Sequence, residues 1–222
     1  MGKIVSLTAK DGHKFDAYRA DPSGKPKGSL VIIQEIFGVN SHMREVTDGF
    51  AKDGYVAIAP ALFDRVGKDI QLGYAGADMD KAKATRAALN WDQVLADTAA
   101  AQDAVKGIGK TGIVGYCFGG SVAWLGATRM NFAASVCYYG GNVADFAKEK
   151  PKCPTIFHVG TEDGGINADK VAIIKKERPE IPVYVYQGAG HGFNCDQRGS
   201  WNAEAAKLAR QRTMEFLAKH VG

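Results

Sequence analysis

The sequence has no uninterrupted apolar run of about 18 residues, so it predicts no helical membrane span. It has no basic block either. Its 28 Lys and Arg are interspersed with 24 Asp and Glu, leaving a net charge of +4, and nothing in that pattern points to nucleic acid. Cysteine is sparse. The four residues Cys117, Cys137, Cys153 and Cys195 form no Cys-x-x-Cys pair, which argues against zinc-ribbon and thioredoxin-like readings. The first seven residues lack both the apolar segment and the small-residue cleavage site of a secretory leader. A cytoplasmic protein with reduced thiols is therefore expected. Internal repeats, low-complexity segments and linkers are also missing, so residues 1–222 are expected to form a single domain.

What is present is an alternation of apolar strands and amphipathic helices. Residues 3–7 and 15–19 read as two strands of a hairpin, with Asp11-Gly12 between them as the turn signal. Residues 30–33 are apolar throughout, as in a strand buried on both faces. A helix follows, with Ser41 predicted as its N-cap and Met43, Val46 and Phe50 on one face. Residues 55–59 form the next strand, and residues 61–76 are the least regular part of the chain. Residues 78–89 read as a charged helix. A longer helix is predicted from Trp91 through Ile108, stopped by Gly109. Further strands are expected at residues 133–139, 155–159 and 183–186, and helices at residues 167–177 and around Ala205 to Leu217. This order predicts an α/β fold, a mostly parallel central sheet with helices on both faces. In such sheets the chemistry sits in loops at the carboxyl ends of strands.

One stretch organises the rest. Residues 112–120 read Gly-Ile-Val-Gly-Tyr-Cys-Phe-Gly-Gly, a short apolar run, a sharp turn and then an Ala-rich helical segment. Gly-x-Cys-x-Gly is the spacing of a nucleophile elbow, with Cys117 where serine is usual. Glycines two residues either side let a strained turn pass close to its neighbours. A buried apolar thiol in a glycine-rich turn is the plain alternative. The other strand ends decide between them. Asp163 and His191 each follow an apolar run, and the order Cys117, Asp163, His191 is nucleophile, acid, histidine. His191 would take the thiol proton and return it to the leaving group, while Asp163 would fix the imidazole tautomer. Glu162 and Asp169 stand close enough in the chain to be alternatives to Asp163. The oxyanion donors expected are the main-chain N–H groups of Phe118 and Ile36. Glu35, ending a buried strand, reads either as an ion pair with a basic residue or as a contact of the thiol. His158, inside an apolar run, reads as a hydrogen-bonded core histidine. His13, His42 and His220 read as surface residues, Cys137 and Cys153 as core thiols, and Ser121 as a helix residue.

The segments Gln34-Glu35-Ile36-Phe37-Gly38-Val39-Asn40, Gly115-Tyr116-Cys117-Phe118-Gly119-Gly120, Tyr138-Tyr139-Gly140, Ala189-Gly190-His191-Gly192-Phe193 and Arg212-Thr213-Met214-Glu215-Phe216-Leu217 resemble the dienelactone hydrolases (carboxymethylenebutenolidases) of the α/β-hydrolase superfamily. The resemblance implies an α/β-hydrolase fold and a Cys117–His191–Asp163 triad, with Glu35 touching the resting thiol. It implies hydrolysis of a small carboxylated enol-lactone to an open-chain keto diacid, with no metal and no organic cofactor. Such a chain would act on a small-molecule lactone or ester as a monomer or small homo-oligomer. The resemblance also implies arginines for the substrate carboxylate. The position four residues after the histidine, arginine in members acting on dienelactone, is Cys195 here. Arg198, Arg65 and Arg86 are the candidates. The acid loop reads Asp163-Gly164-Gly165-Ile166, without the family's usual proline. Another small ester, lactone or thioester is the alternative substrate. A ligand-binding or redox-sensing protein using Cys117 is the alternative class.

Overall fold

The computed structural model describes residues 2–222, so only Met1 of the N-terminal segment considered above lies outside the described residues. The chain forms two compact units. The first runs to Gly112 and takes in Val221; the second runs from Ile113 to His220, with Gly222.

In the first unit the strand order is β1-β2-β4-β3. β1 (Lys3–Thr8) and β2 (Lys14–Ala20) form the expected antiparallel hairpin, with Leu7 opposite Phe15. Gly12 takes φ 86° in the connection, a conformation that glycine adopts without penalty. β4 (Tyr55–Pro60) pairs antiparallel with β2 and parallel with β3 (Gly28–Ile33). Every residue of β3 and β4 is buried, which explains their mostly apolar sequence; the polar exception, Ser29, pairs its hydroxyl with that of Thr111 at 2.8 Å.

α1 (Ser41–Lys52) buries Met43, Thr47, Phe50 and Ala51. Two expectations fail here. The N-cap is Asn40, not Ser41. The Asn40 Oδ1 accepts from the Met43 N–H at 3.2 Å, and its amide donates to the Leu72 carbonyl at 3.1 Å and to the Tyr74 hydroxyl at 3.0 Å. An amide can cap the helix and hold the irregular segment at once, whereas a serine hydroxyl cannot reach both. His42 is buried rather than on the surface, because it lies on the inward side of the first turn beside Met43.

The irregular residues 61–76 begin in a 3-10 turn, Leu62–Arg65, and then fold over the loop that follows β3. Phe37, Leu72 and Ala82 form a buried cluster, with Ile36, Ile70, Tyr74 and Met79 packed against it. The Leu72 N–H donates to the Phe37 carbonyl at 2.9 Å. Gly38, at φ 80°, allows the approach, since a Cβ there would collide with the Ile70 carbonyl. α2 (Ala77–Ala87) and α3 (Trp91–Asp103) follow. α3 opens on a capping box between Asn90 and Gln93. It stops at Asp103 rather than Ile108. The chain continues as i→i−3 turns, Val105 to Gln102 and Lys106 to Asp103, and keeps Val105 buried, so the apolar spacing outruns the helix.

β5 (Thr111–Tyr116) starts in the first unit, where Ser29 N–H donates to the Lys110 carbonyl at 2.9 Å beside it. In the second unit the order is β5-β6-β7-β8. β6 (Ala134–Tyr138), β7 (Thr155–Glu162) and β8 (Val183–Gly190) run parallel. With them lie α4 (Phe118–Arg129), α5 (Ala168–Glu177) and α6 (Ala203–His220). α4 is buried from Phe118 to Thr128, as suits its Gly- and Ala-rich sequence. β7 and β8 extend to Glu162 and Gly190, beyond the apolar runs that mark them in the sequence. Their ladder continues through small residues, with a register shift between Gly160 and Glu162. A Cβ at Gly160 would strike the Ala189 carbonyl. These extensions carry the chain to Asp163 and His191. Among the described residues, no helix is long and apolar enough to cross a membrane.

Candidate active site

Everything in this site that the geometry joins lies in the second unit. Cys117 occupies the turn from β5 into α4 at φ 56° and ψ −117°. That backbone is costly for any residue with a side chain, on the order of 1–3 kcal/mol, and the surroundings hold it. The Cys117 N–H donates to the Tyr138 carbonyl at 3.0 Å, and the Gly120 N–H to the Cys117 carbonyl at 2.9 Å. A Cβ at Gly115 would overlap the Gly119 carbonyl, and one at Gly120 the Tyr138 carbonyl. Glycine at positions 115 and 120 therefore follows from contact distances. Phe118 is the first residue of α4, so its N–H belongs to the helix end that has no intrahelical acceptor.

The His191 Nε2 lies 3.0 Å from the Cys117 Sγ, and its Nδ1 lies 2.8 Å from Asp163 Oδ2. The other carboxylate oxygen, Oδ1, accepts from the N–H groups of Gly165 at 2.9 Å and Ile166 at 3.1 Å. The acid is thus fixed by its own loop. The Lys170 ammonium secures that loop, donating to the carbonyls of Gly165 at 2.9 Å and Gly141 at 3.3 Å. Asp163 has a fully buried side chain, and that of His191 is 28% exposed. Glu162 and Asp169, the neighbouring carboxylates, are exposed, and it is Asp163 that meets the imidazole. Burial opposes charge on His191, but Cys117 and Asp163 on either side outweigh it and raise its pKa from 6.5 to about 10. Both partners therefore favour the charged form of the ring.

The remaining candidates have different surroundings. Glu35 is 1% exposed in the loop after β3, and Ile36 packs on the Phe37 cluster, both in the first unit. Arg65 is ion-paired with Asp97 at 2.7 Å and Asp11 at 2.8 Å, tying the 3-10 turn to α3 and the hairpin loop. Arg86 stacks on the Trp91 ring at 4.4 Å and donates to the Leu89 carbonyl at 3.0 Å. Cys195 is fully buried in the turn after His191, its N–H donating to the Gly192 carbonyl at 2.9 Å. That turn brings the Arg198 guanidinium against Gly192, next in the chain to His191, where any side chain would displace it.

His158 is the core histidine expected from its apolar run. Its Nδ1 pairs with the Tyr186 hydroxyl at 2.8 Å and its Nε2 with the Thr213 hydroxyl at 3.2 Å. Burial, aided by the charge of Arg212, lowers its pKa to about 3, so it is neutral. Ser121 lies in α4, its hydroxyl accepting from the Asn142 N–H at 3.0 Å. Cys137 is buried, and Cys153 is partly exposed rather than a core thiol, because it lies in the connection just before β7. Sequence reasoning gave no role to Tyr138 and Tyr139. The Tyr138 carbonyl receives the Cys117 N–H, and the Tyr139 ring lies against His191. The usable signal was a Gly-Gly pair directly after a buried strand.

A family model described as "Dienelactone hydrolase family" matches residues 15–221. The chain is 34% identical over 229 residues to a carboxymethylenebutenolidase of Pseudomonas putida, covering 96% of this chain and 95% of that protein. It is 34% identical over 207 residues to a putative carboxymethylenebutenolidase of Synechocystis sp., covering 85% of this chain and 84% of that one. Among solved structures, a putative dienelactone hydrolase from Klebsiella pneumoniae superposes with a TM-score of 0.85 at 28% identity, covering 98% of this chain and 100% of that one.

Proposed function

From the premise that this chain belongs to the dienelactone hydrolase family of α/β hydrolases, we propose that it is a cysteine-dependent hydrolase of a small carboxylated enol-lactone. The supporting observation is the unbroken chain Cys117 Sγ–His191–Asp163, with contacts of 3.0 Å and 2.8 Å, at a strained elbow.

In the reaction, the Cys117 sulfur attacks the lactone carbonyl as a thiolate, its proton residing on His191. A C–S bond forms and the carbonyl oxygen becomes an oxyanion, received by the main-chain N–H groups of Phe118 and Ile36. The ring C–O bond breaks, and the His191 Nε2 proton passes to the leaving oxygen, giving an enol that becomes a ketone. Water then adds to the acyl-thioester, losing its proton to the now neutral His191, and the C–S bond breaks to release the acid. Asp163 keeps the imidazole in register throughout. Glu35 is assigned the contact with the resting thiol that the family resemblance implies. Among the arginines, Arg198 is assigned to the substrate carboxylate before Arg65 and Arg86, since its guanidinium lies against Gly192, the residue that follows His191. We assign the chain to one domain that acts without a metal or organic cofactor, as a cytoplasmic monomer or small homo-oligomer.

A second substrate reading, another small ester, lactone or thioester, is favoured by one observation. The residue four after His191 is a buried cysteine instead of a guanidinium. Parallel assays on a carboxylated enol-lactone and a neutral aryl ester separate the two. The first reading predicts preference for the lactone and its loss in Arg198→Gln. Equal rates on both, unchanged in that variant, would favour the second.

A further inference from the structure

Tyr139 is the residue after β6, fully buried, and one of three non-glycine residues with a positive φ among the described residues. Its φ is 37°. A left-handed backbone is unfavourable for a bulky aromatic residue by about 1–2 kcal/mol, and such outliers gather where a side chain must be aimed. Here the backbone cannot relax. The Tyr139 N–H donates to the His158 carbonyl at 2.8 Å, the preceding carbonyl holds Cys117, and the following Gly140 presses on Gly120 and Ser121 so closely that a Cβ would not fit.

The ring so aimed meets His191 edge to face, with centroids 5.2 Å apart and planes at 62°. Phe193 backs it at 5.3 Å and 72°. The two hydrogen bonds of His191 leave from opposite ends of the imidazole, toward Cys117 and toward Asp163. The rotation left to the imidazole is the turn about its Cβ–Cγ bond, which carries both nitrogens away from their partners. A rigid ring packed against the imidazole opposes that turn.

We propose that Tyr139 is a positioning residue for His191, its ring fixing the imidazole plane so that Nε2 stays aimed at Cys117. The inference rests on the role given above to His191 as the proton carrier for Cys117. Its test needs no lactone, so it can fail separately from the hydrolase reading.

The measurement is the rate of Cys117 alkylation by iodoacetamide from about pH 5 to about pH 9. It is made on the wild type, Tyr139→Phe and Tyr139→Leu, each also with His191→Gln, with circular dichroism to establish folding. Tyr139→Phe keeps the ring and should stay within about threefold of wild type. Tyr139→Leu should react about tenfold more slowly at neutral pH with an altered pH profile, an effect of the size expected from misaligning a reacting group. That loss should vanish in the His191→Gln background, because the ring acts only through the histidine. Should the Leu variant not fold, Tyr139→Asn replaces it, since asparagine tolerates the left-handed backbone. A folded Leu or Asn variant with wild-type rate and profile would overturn the proposal. So would a loss that persists without His191, or a tenfold loss in Tyr139→Phe. Fast, pH-dependent alkylation in a protein that turns over no lactone would count against the hydrolase reading and leave the positioning role standing.

Discussion

At the scale of single residues, two histidines of one unit behave in opposite ways. His191 holds its proton more tightly in the folded protein than in the unfolded chain, with a pKa of about 10 against 6.5. Its charged contacts therefore stabilise the fold in full below about pH 6.5, and that contribution is lost as pH rises through the window to about 10. Thermal unfolding of His191→Gln should accordingly show a shallower alkaline decline than wild type, by up to about 1.4 kcal/mol per pH unit. Parallel curves would contradict the charged pair. His158 is the reverse case. At about 3 in the folded protein, its pKa lies below that of the unfolded chain, so acid favours unfolding between about pH 6.5 and 3. His158→Asn should lose less stability than wild type on acidification across that window, again by up to about 1.4 kcal/mol per pH unit, whatever its stability at neutral pH. The sequence distinguished these two histidines by their neighbours alone, glycines around one and apolar residues around the other. It could not show that His42 is buried, because one helical turn offers several faces and the choice is made by packing.

At the scale of elements, sequence and structure diverge where an end is set by a distant partner. β7 and β8 continue through Gly160, Thr161, Ala189 and Gly190, residues that read locally as loop. Only the ladder between the two strands, with its close Gly160–Ala189 contact, makes them strand. α3 shows the opposite error, since a buried Val105 prolongs its apolar stripe past the last helical residue. The irregular residues 61–76 carried no periodic signal, yet they are anchored by Leu72 on the Phe37 cluster and by Asn40. Truncating that anchor in Leu72→Ala should cost about 2–3 kcal/mol, the lower part of the range for buried leucines, because the site borders solvent. Urea unfolding would measure it, and a change under about 0.5 kcal/mol, the range of an ordinary surface substitution, would mean the segment is not held by this cluster.

For the molecule as a whole, the alternation of strands and helices was enough to read an α/β fold with a mostly parallel sheet. The elbow spacing and the order of Cys117, Asp163 and His191 were enough to expect the side-chain contacts that join them. They are legible because both depend on residues whose physics is local: glycines that permit close approach, and polar groups placed just past apolar strands. Substrate choice is less legible, because a carboxylate can be met by arginines from several loops, and three were candidates. The central claim is that Cys117 is the nucleophile of an acyl-transfer hydrolase. Intact-mass analysis of acid-quenched enzyme, mixed with an enol-lactone and followed by peptide mapping, tests it most directly. The account predicts a covalent adduct of the lactone's mass on Cys117 in wild type. In Cys117→Ala it predicts no adduct and at least about a thousandfold lower turnover. An adduct on another residue, or undiminished turnover in Cys117→Ala, would contradict it.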